Sequence, residues 1–260
     1  MQILVINLAS QEARWRDACR RFSAVGLRPV RHEAVAGSAL TPQQTAQLYS
    51  ERLNAAQYHK ALRPGEIGCY ASHLAAWRRL VASGDSAMAI FEDDVEIDDD
   101  LPEVLRTVAS STMPWDVLKL IGRPREKVRA RTPLLGRREL IAYRRVPSLT
   151  GAYVITAQGA EKLLAHRCPF GRPVDVDMRH WWECDLHVAG VHPYPVRAAP
   201  SSQVSTIGER ATTEQGSRSR LKRLQLQAHY TFKNWWALRT SAAAFEPAPT
   251  AVPQPQGSRA

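Results

Sequence analysis

The sequence predicts an α/β protein with a mostly parallel sheet, and three observations carry that expectation. Short apolar runs alternate with longer amphipathic stretches through most of the chain. The composition, 44% hydrophobic and 23% charged over 260 residues, is that of a globular protein able to bury a real core. Finally, the compact apolar run Ala87-Met88-Ala89-Ile90-Phe91 opens straight into Glu92-Asp93-Asp94, as a buried strand does when it delivers polar groups to a site at its carboxyl end.

Taken in order, residues 3–8 (Ile3-Leu4-Val5-Ile6-Asn7-Leu8) form the first predicted strand, and Ser10 is placed to cap a helix over residues 11–25 that Gly26 closes. Residues 30–35 follow as a strand, and a polar helical stretch comes after Pro42. Pro64 opens a stronger helix, in which Ile67, Tyr70, Ala71, Leu74, Trp77 and Val81 make one apolar stripe that leaves Ser72 and His73 on the opposite side. Strands are expected at 87–91, 116–121 and 151–156, the last feeding a helix over 158–165. The chain divides into a main domain at 1–210, a basic amphipathic segment at 211–240 and a disordered tail, rich in Ala and Pro, at 241–260. There is no internal repeat.

Composition excludes several classes. No apolar run approaches the ~20 residues that cross a bilayer. The first residues, lacking a basic stretch and a cleavage site, read as a strand and not a signal peptide. Four cysteines do not make a disulfide scaffold in 260 residues, so a reduced, cytoplasmic setting is expected. The net charge of +10 is concentrated: residues 119–145 carry +8 and residues 210–239 carry +6, which leaves the remainder at −4. Anionic partners at defined places follow from that distribution. No helix-turn-helix, RNP or zinc-finger pattern points to nucleic acid.

Carboxylates crowded at a strand end repel one another, so Glu92, Asp93 and Asp94 are candidates to hold a hard divalent cation such as Mg²⁺ or Mn²⁺, which also binds phosphates. Asp98, Asp99 and Asp100 read as the capped start of a helix instead. His180, Cys184, His187 and His192 contain no paired-ligand spacing for zinc.

Five blocks, in order, resemble glycosyltransferase family 25, the lipooligosaccharide-biosynthesis and collagen-galactosyltransferase group. They are Ile6-Asn7-Leu8 with Arg14; Gly65-Glu66-Ile67-Gly68-Cys69-Tyr70-Ala71-Ser72-His73-Leu74 with Trp77; Phe91-Glu92-Asp93-Asp94-Val95; Gly151-Ala152-Tyr153-Val154-Ile155-Thr156 with Ala160, Leu163 and Leu164; and Pro173-Val174-Asp175. The resemblance implies a GT-A type, Rossmann-like nucleotide-sugar-binding domain. It implies transfer of a hexose, galactose from UDP-galactose above all, to a hydroxyl with inversion, assisted by Mn²⁺ or Mg²⁺. Carried onto this sequence, it makes Asp94 and Glu92 the metal contacts, with Glu92 or Asp93 toward the ribose or a metal-bound water. Asn7, Arg14, Ser72 and His73 become donor-side candidates. Inverting transfer needs a carboxylate to take the acceptor's proton; Asp175 matches the family position, Asp177 stands beside it as a second candidate, and Glu183 and Asp185 follow. Trp181-Trp182 could stack on a sugar or belong to the core, and the arginines of 123–131 could face phosphates or solvent.

In the C-terminal segment, Leu221, Leu224, Ala228, Phe232 and Trp235 share a helical face, with Lys222, Arg223, His229, Lys233 and Arg239 on the others. Such a helix either lies on an anionic bilayer, as suits an enzyme with a lipopolysaccharide or other glycolipid acceptor at the inner face of the cytoplasmic membrane, or docks on the domain. Two other readings compete with the transferase: a Mg²⁺-dependent phosphohydrolase at the acidic corner, and a non-catalytic membrane-surface adaptor.

Overall fold

The computed structural model describes residues 1–110, 115–199 and 217–241. Its organising element is β1 (Gln2–Asn7), which pairs in parallel with β2 (Val30–Glu33) on one side and β3 (Ala87–Glu92) on the other. Side chains of a strand alternate between faces, and both faces of β1 and β3 are apolar. Leu4, Ile6, Met88 and Ile90 join one buried cluster, while Ile3, Val5, Ala89 and Phe91 join another.

Helices cover both clusters. The first is roofed by α4 (Pro64–Ser83) and α6 (Ala157–His166), through Leu74, Trp77, Leu80, Ala160 and Leu163. The second is roofed by α1 (Glu12–Ala24) and α5 (Leu101–Ala109), through Phe22, Leu101, Val104 and Val108. The chain therefore crosses one face between β1 and β2 and the opposite face between β2 and β3. Ligands of open α/β sheets sit in the crevice beyond the carboxyl ends of neighbouring parallel strands, here β1 and β3.

The main sheet has the order β2-β1-β3-β8-β5-β9-β7-β6, with β5 (Val117–Lys119), β6 (Val128–Leu135), β7 (Arg138–Tyr143), β8 (Ala152–Thr156) and β9 (Val188–His192). It is mixed, not mostly parallel in its pairing. β8 and β7 run against the other six strands, so four of the seven neighbouring pairs are antiparallel. A second, two-stranded sheet joins β4 (Val95–Ile97) to β10 (Val196–Ala198).

Several local expectations change. Gln11, not Ser10, precedes α1, and its side chain makes no capping bond. The polar stretch after Pro42 is two helices, α2 (Pro42–Leu48), held by a Thr41–Gln44 capping box, and α3 (Glu51–Gln57). The stripe on α4 is buried except for Val81, yet Ser72 and His73 are buried as well, each 1% exposed. For Ser72 the reason is close approach to the loop after β2: a Cβ on Gly68 would sit within 2.9 Å of Val35 O and of Gly37 N and Cα. Gly68→Ala should therefore destabilise the fold by about 1–3 kcal/mol through overpacking, and an unchanged denaturation midpoint would refute this account of the glycine.

Asp98 and Asp100 do more than begin α5. They clamp the fully buried Arg138 of β7, whose Nη2 lies 2.6 Å from each carboxylate while Nη1 donates to Pro193 O at 2.8 Å. Trp181 opens a single 3₁₀ turn (Trp181–Glu183) and is buried in the core at 4% exposed, so the stacking alternative does not hold for it. Asp177 closes the short α7 (Val174–Asp177).

The C-terminal segment contains α8 (Ser217–Thr240). It docks on the domain, but not by the predicted face: Tyr230, Asn234 and Ala237 are the buried positions. Asn234 accepts from Trp181 Nε1 at 3.1 Å and donates to Arg144 O at 2.8 Å, and the guanidinium groups of Arg145 and Arg179 lie 4.8 and 4.5 Å from the Tyr230 ring centre. The expected tail, from residue 242 on, and residues 200–216 lie outside the described residues.

Candidate active site

At the carboxyl ends of β1 and β3 the chain brings Asn7 beside the turn that follows Glu92. Asn7 is buried and engaged on both sides of its amide. Its Nδ2 donates to Asp93 Oδ2 at 2.5 Å and to Gln11 O at 3.1 Å, and its Oδ1 accepts from Arg31 Nε and Nη2 at 2.9 and 2.6 Å. Asp93 is likewise turned inward, at 7% exposed, and pairs with Arg14 as well as Asn7. Arg14 also reaches Asp94 Oδ2 at 3.1 Å. Arg21, two turns further along the same face of α1, donates to Val95 O at 2.9 Å. The arginines of α1 and β2 thus pin the turn that presents Glu92 and Asp94, a role the sequence signals for Arg14 but not for Arg21 or Arg31.

The three carboxylates differ. Burial pushes the Asp94 pKa up, and the neighbouring Glu92 charge pushes it further. Burial raises Asp93 too, against the pull of Asn7 and Arg14. Glu92 moves the other way: burial opposes its ionisation, but His73, the Thr150 hydroxyl at 3.2 Å and the Lys119 charge together lower its pKa. Glu92 is therefore the settled anion of the group, and Asp94, with its side chain 24% exposed, is the under-compensated one.

His73 reaches this corner from α4 as part of a hydrogen-bonded chain. Trp77 Nε1 donates to Tyr153 Oη at 2.9 Å, and His73 Nδ1 lies 2.8 Å from the same oxygen. Tyr153 is fully buried, so its hydroxyl proton needs an acceptor, and His73 Nδ1 is the one it meets. That assignment leaves the imidazole proton on Nε2, facing Glu92 Oε1 across 3.7 Å. Cys69 completes a triangle with His73 and Glu92, their ligand atoms lying within 4.8 Å of one another. Burial, then the Glu92 charge, push the Cys69 thiol well above its ordinary pKa. With protons on sulfur and on Nε2, the triangle supports the Glu92 carboxylate better than it ligates a soft metal. Ser72 is engaged elsewhere: its hydroxyl accepts from Val35 N at 2.8 Å and donates to Gly68 O at 2.7 Å, which ties α4 to the loop after β2.

Two further groups complete the site. Lys119, at the end of β5, is fully buried, donates to Leu149 O, and is lowered by burial to a pKa of about 8. The charges of Asp175 and Glu92 act on it in the opposite sense. Asp175, in α7, is pushed up to about 6 by burial, with Lys119 pulling it down and Glu92 pushing it up. Glu92, Lys119 and Asp175 therefore sense one another across the crevice. A lysine inside the apolar run Val117-Leu118-Lys119-Leu120-Ile121 was the available signal for Lys119.

Asp177 does not belong with Asp175. It is 2% exposed and forms a buried knot: Tyr70 Oη donates to it at 2.7 Å, Arg172 lies 2.6 Å away and Arg167 3.4 Å. Glu183 belongs to the same knot, 2.5 Å from Arg172 and 2.6 Å from Arg167. Asp185 has left-handed backbone (φ 51°), and its carbonyl accepts from Lys162. Among the described residues His180, Cys184, His187 and His192 form no ligand cluster. Of the 123–131 arginines, Arg131 pairs with Glu139 across the β6–β7 hairpin at 2.6 Å.

Known proteins bear on this arrangement. The model of "Glycosyltransferase family 25 (LPS biosynthesis protein)" matches residues 1–178, a stretch that contains every group just placed at the crevice. The chain is 30% identical over 161 residues to the "Probable inactive glycosyltransferase 25 family member 3" of Bos taurus, covering 55% of this chain and 26% of that protein. It is 27% identical over 183 residues to the "Procollagen galactosyltransferase 2" of Homo sapiens, covering 68% and 29%, and 28% identical over 170 residues to the "Procollagen galactosyltransferase 1" of Danio rerio, covering 63% and 28%. The aligned region thus spans between a quarter and a third of these relatives. On the family match across residues 1–178, the chain belongs to glycosyltransferase family 25.

Proposed function

We propose that the chain is a GT-A type transferase that moves a hexose, galactose from UDP-galactose, to a hydroxyl of a lipopolysaccharide or lipooligosaccharide acceptor with inversion at the anomeric carbon. The observation that carries this reading is the split among the carboxylates. Asp93 is locked inward, while Glu92 and Asp94 stand at the crevice, Glu92 in electrostatic reach of Asp175.

The donor set fits a hard divalent cation. Its ligands would be carboxylate oxygens; burial first and the Glu92 charge second disfavour the ionised Asp94, and a bound cation would relieve both. Asp94 and Glu92 would hold Mn²⁺ or Mg²⁺, which supplies positive charge for the diphosphate of the departing nucleotide. The protein's own groups do the rest. Arg14 keeps Asp93 and Asp94 in place, and the Trp77–Tyr153–His73 chain orients Glu92. Asp175 takes the proton from the acceptor hydroxyl as that oxygen bonds to the anomeric carbon and the bond to the nucleotide breaks. A pKa of about 6 leaves Asp175 ionised at neutral pH and still a better base than an ordinary carboxylate.

Similarity to a protein named inactive favours a second reading, a nucleotide-binding domain without turnover. Calorimetry with UDP in the presence and absence of Mn²⁺, followed by a UDP-galactose turnover assay, separates the two. Mn²⁺-dependent UDP binding with release of UDP from the sugar nucleotide is expected. Binding without turnover of any UDP-sugar and acceptor would favour the second reading, and no binding would remove both.

A further inference from the structure

We propose that the outer face of α8 lies on an anionic lipid bilayer. The helix carries two faces half a turn apart, since 100° per residue puts Tyr230, Asn234 and Ala237 on one side and Leu221, Leu224, Ala228, Phe232 and Trp235 on the other. The first side is buried on the domain. The second is open: Leu221 is 59% exposed, Leu224 63%, Phe232 59%, Trp235 47% and the adjoining Trp236 54%. These are five of the eight large hydrophobics exposed among the described residues. A concentration of that kind on one helix marks a contact surface, whereas isolated exposed residues would not.

The ridge is held in place. Asn234 bridges the Trp181 turn and Arg144 O, Tyr230 lies beneath two guanidinium groups, and Lys222 Nζ donates to Ala55 O at 2.5 Å. The aromatic groups also support one another, with the Phe232 and Trp235 rings stacked at 6.2 Å and the Arg239 guanidinium 3.9 Å from the Trp235 ring centre.

Charge selects the occupant. Ser217–Thr240 contains six Lys or Arg and no Asp or Glu. A second copy docked helix to helix would bring two acid-free basic helices together, which like charges oppose. An anionic headgroup layer complements the basic flanks, and its acyl boundary receives the Trp, Phe and Leu side chains. The same placement would hold a glycosyl acceptor embedded in that bilayer within reach of the domain.

The test is co-sedimentation of the full chain with vesicles of phosphatidylcholine containing roughly 30% phosphatidylglycerol, against pure phosphatidylcholine. We expect at least about tenfold stronger partition to the anionic vesicles, weakened by 0.5 M NaCl because exposed charges are screened. Phe232→Ser with Trp235→Ser and Trp236→Ser should abolish it. Arg220→Glu with Arg239→Glu, at exposed positions bordering the ridge, leaves its apolar side chains in place and should reduce it to the level seen with neutral vesicles. Equal partition to both vesicle types, or none, would overturn the proposal. So would a concentration-dependent dimer that the triple variant dissolves while vesicle binding is absent, since a second copy would then be the occupant. No sugar nucleotide enters the assay, so its outcome is independent of the transferase reading.

Discussion

Asp94→Asn is expected to lower sugar transfer by at least about 100-fold, the scale on which removing one electrostatic contact to a developing charge is felt, while the protein remains folded. The stability expectation follows from the same residue. The Asp94 pKa is raised by burial and by the Glu92 charge, so its ionised form is disfavoured in the folded state. A neutral amide of the same shape removes that repulsion and gives up one ion pair to Arg14 at 3.1 Å. The melting temperature without ligand should hold or rise slightly, and the Mn²⁺-induced increase expected of wild type should be absent. The raised pKa also gives a direction in pH: protons compete for Asp94 at a higher pH than for an ordinary aspartate, so Mn²⁺ affinity should begin to fall earlier on acidification. Full activity in Asp94→Asn, or an undiminished Mn²⁺ shift, would remove the metal from this carboxylate.

The neighbouring Asp93 sharpens the contrast. Both of its oxygens are tied, to Asn7 and to Arg14, across the carboxyl ends of β1 and β3. Local sequence shows three adjacent acids and cannot divide their labour. The division arises because β1 and β3 are neighbours in the sheet, a pairing of residues 86 apart. The same limit explains what else was hidden. β1, β3, β8, α4 and α6 were legible from their periods of apolar residues, and α1 from Gly26, which marks its end. The β6–β7 hairpin was not, because alternating Arg129, Ala130, Arg131 and Thr132 on an edge strand reads as a charged loop.

Polarity misled in the same way on α4. Ser72 and His73 look like an outward face, but each is buried with partners supplied by distant segments, Val35 for one and Tyr153 for the other. Strand direction was likewise invisible, since nothing in Ala152-Tyr153-Val154-Ile155-Thr156 tells which way β8 runs between β3 and β5. On α8 the apolar face was legible in the sequence and the docking seam was not. The domain takes Tyr230, Asn234 and Ala237, a narrower and partly polar seam whose asparagine is explained only by Trp181 and Arg144.

Two aspartates separated by one valine should fail in opposite ways. Asp175→Asn is expected to cut transfer by about 10²–10⁴-fold, the range for loss of a general base, with the fold intact. In wild type, activity should fall as pH drops through about 6, where Asp175 takes up its proton. Its effect on stability has the reverse sense. A carboxylate raised from 3.8 to about 6 binds its proton more tightly when folded, so the advantage is full below about pH 4 and lost as pH rises through 6. The asparagine variant should lack that dependence and be at least as stable at neutral pH. Removing Lys119, as in Lys119→Met, takes away a charge that favours the carboxylate, and should move the acid limb of the rate profile upward. Asp177→Asn instead withdraws a counter-ion from Arg167 and Arg172, which are 5% and 3% exposed. Stranding buried charges of this kind costs about 3–5 kcal/mol, so that variant should melt early or fail to accumulate, and whatever folds should retain the wild-type acid limb. Denaturation curves and pH–rate profiles of the two variants measured side by side decide the matter: a folded but inactive Asp177→Asn beside an active Asp175→Asn would exchange their roles.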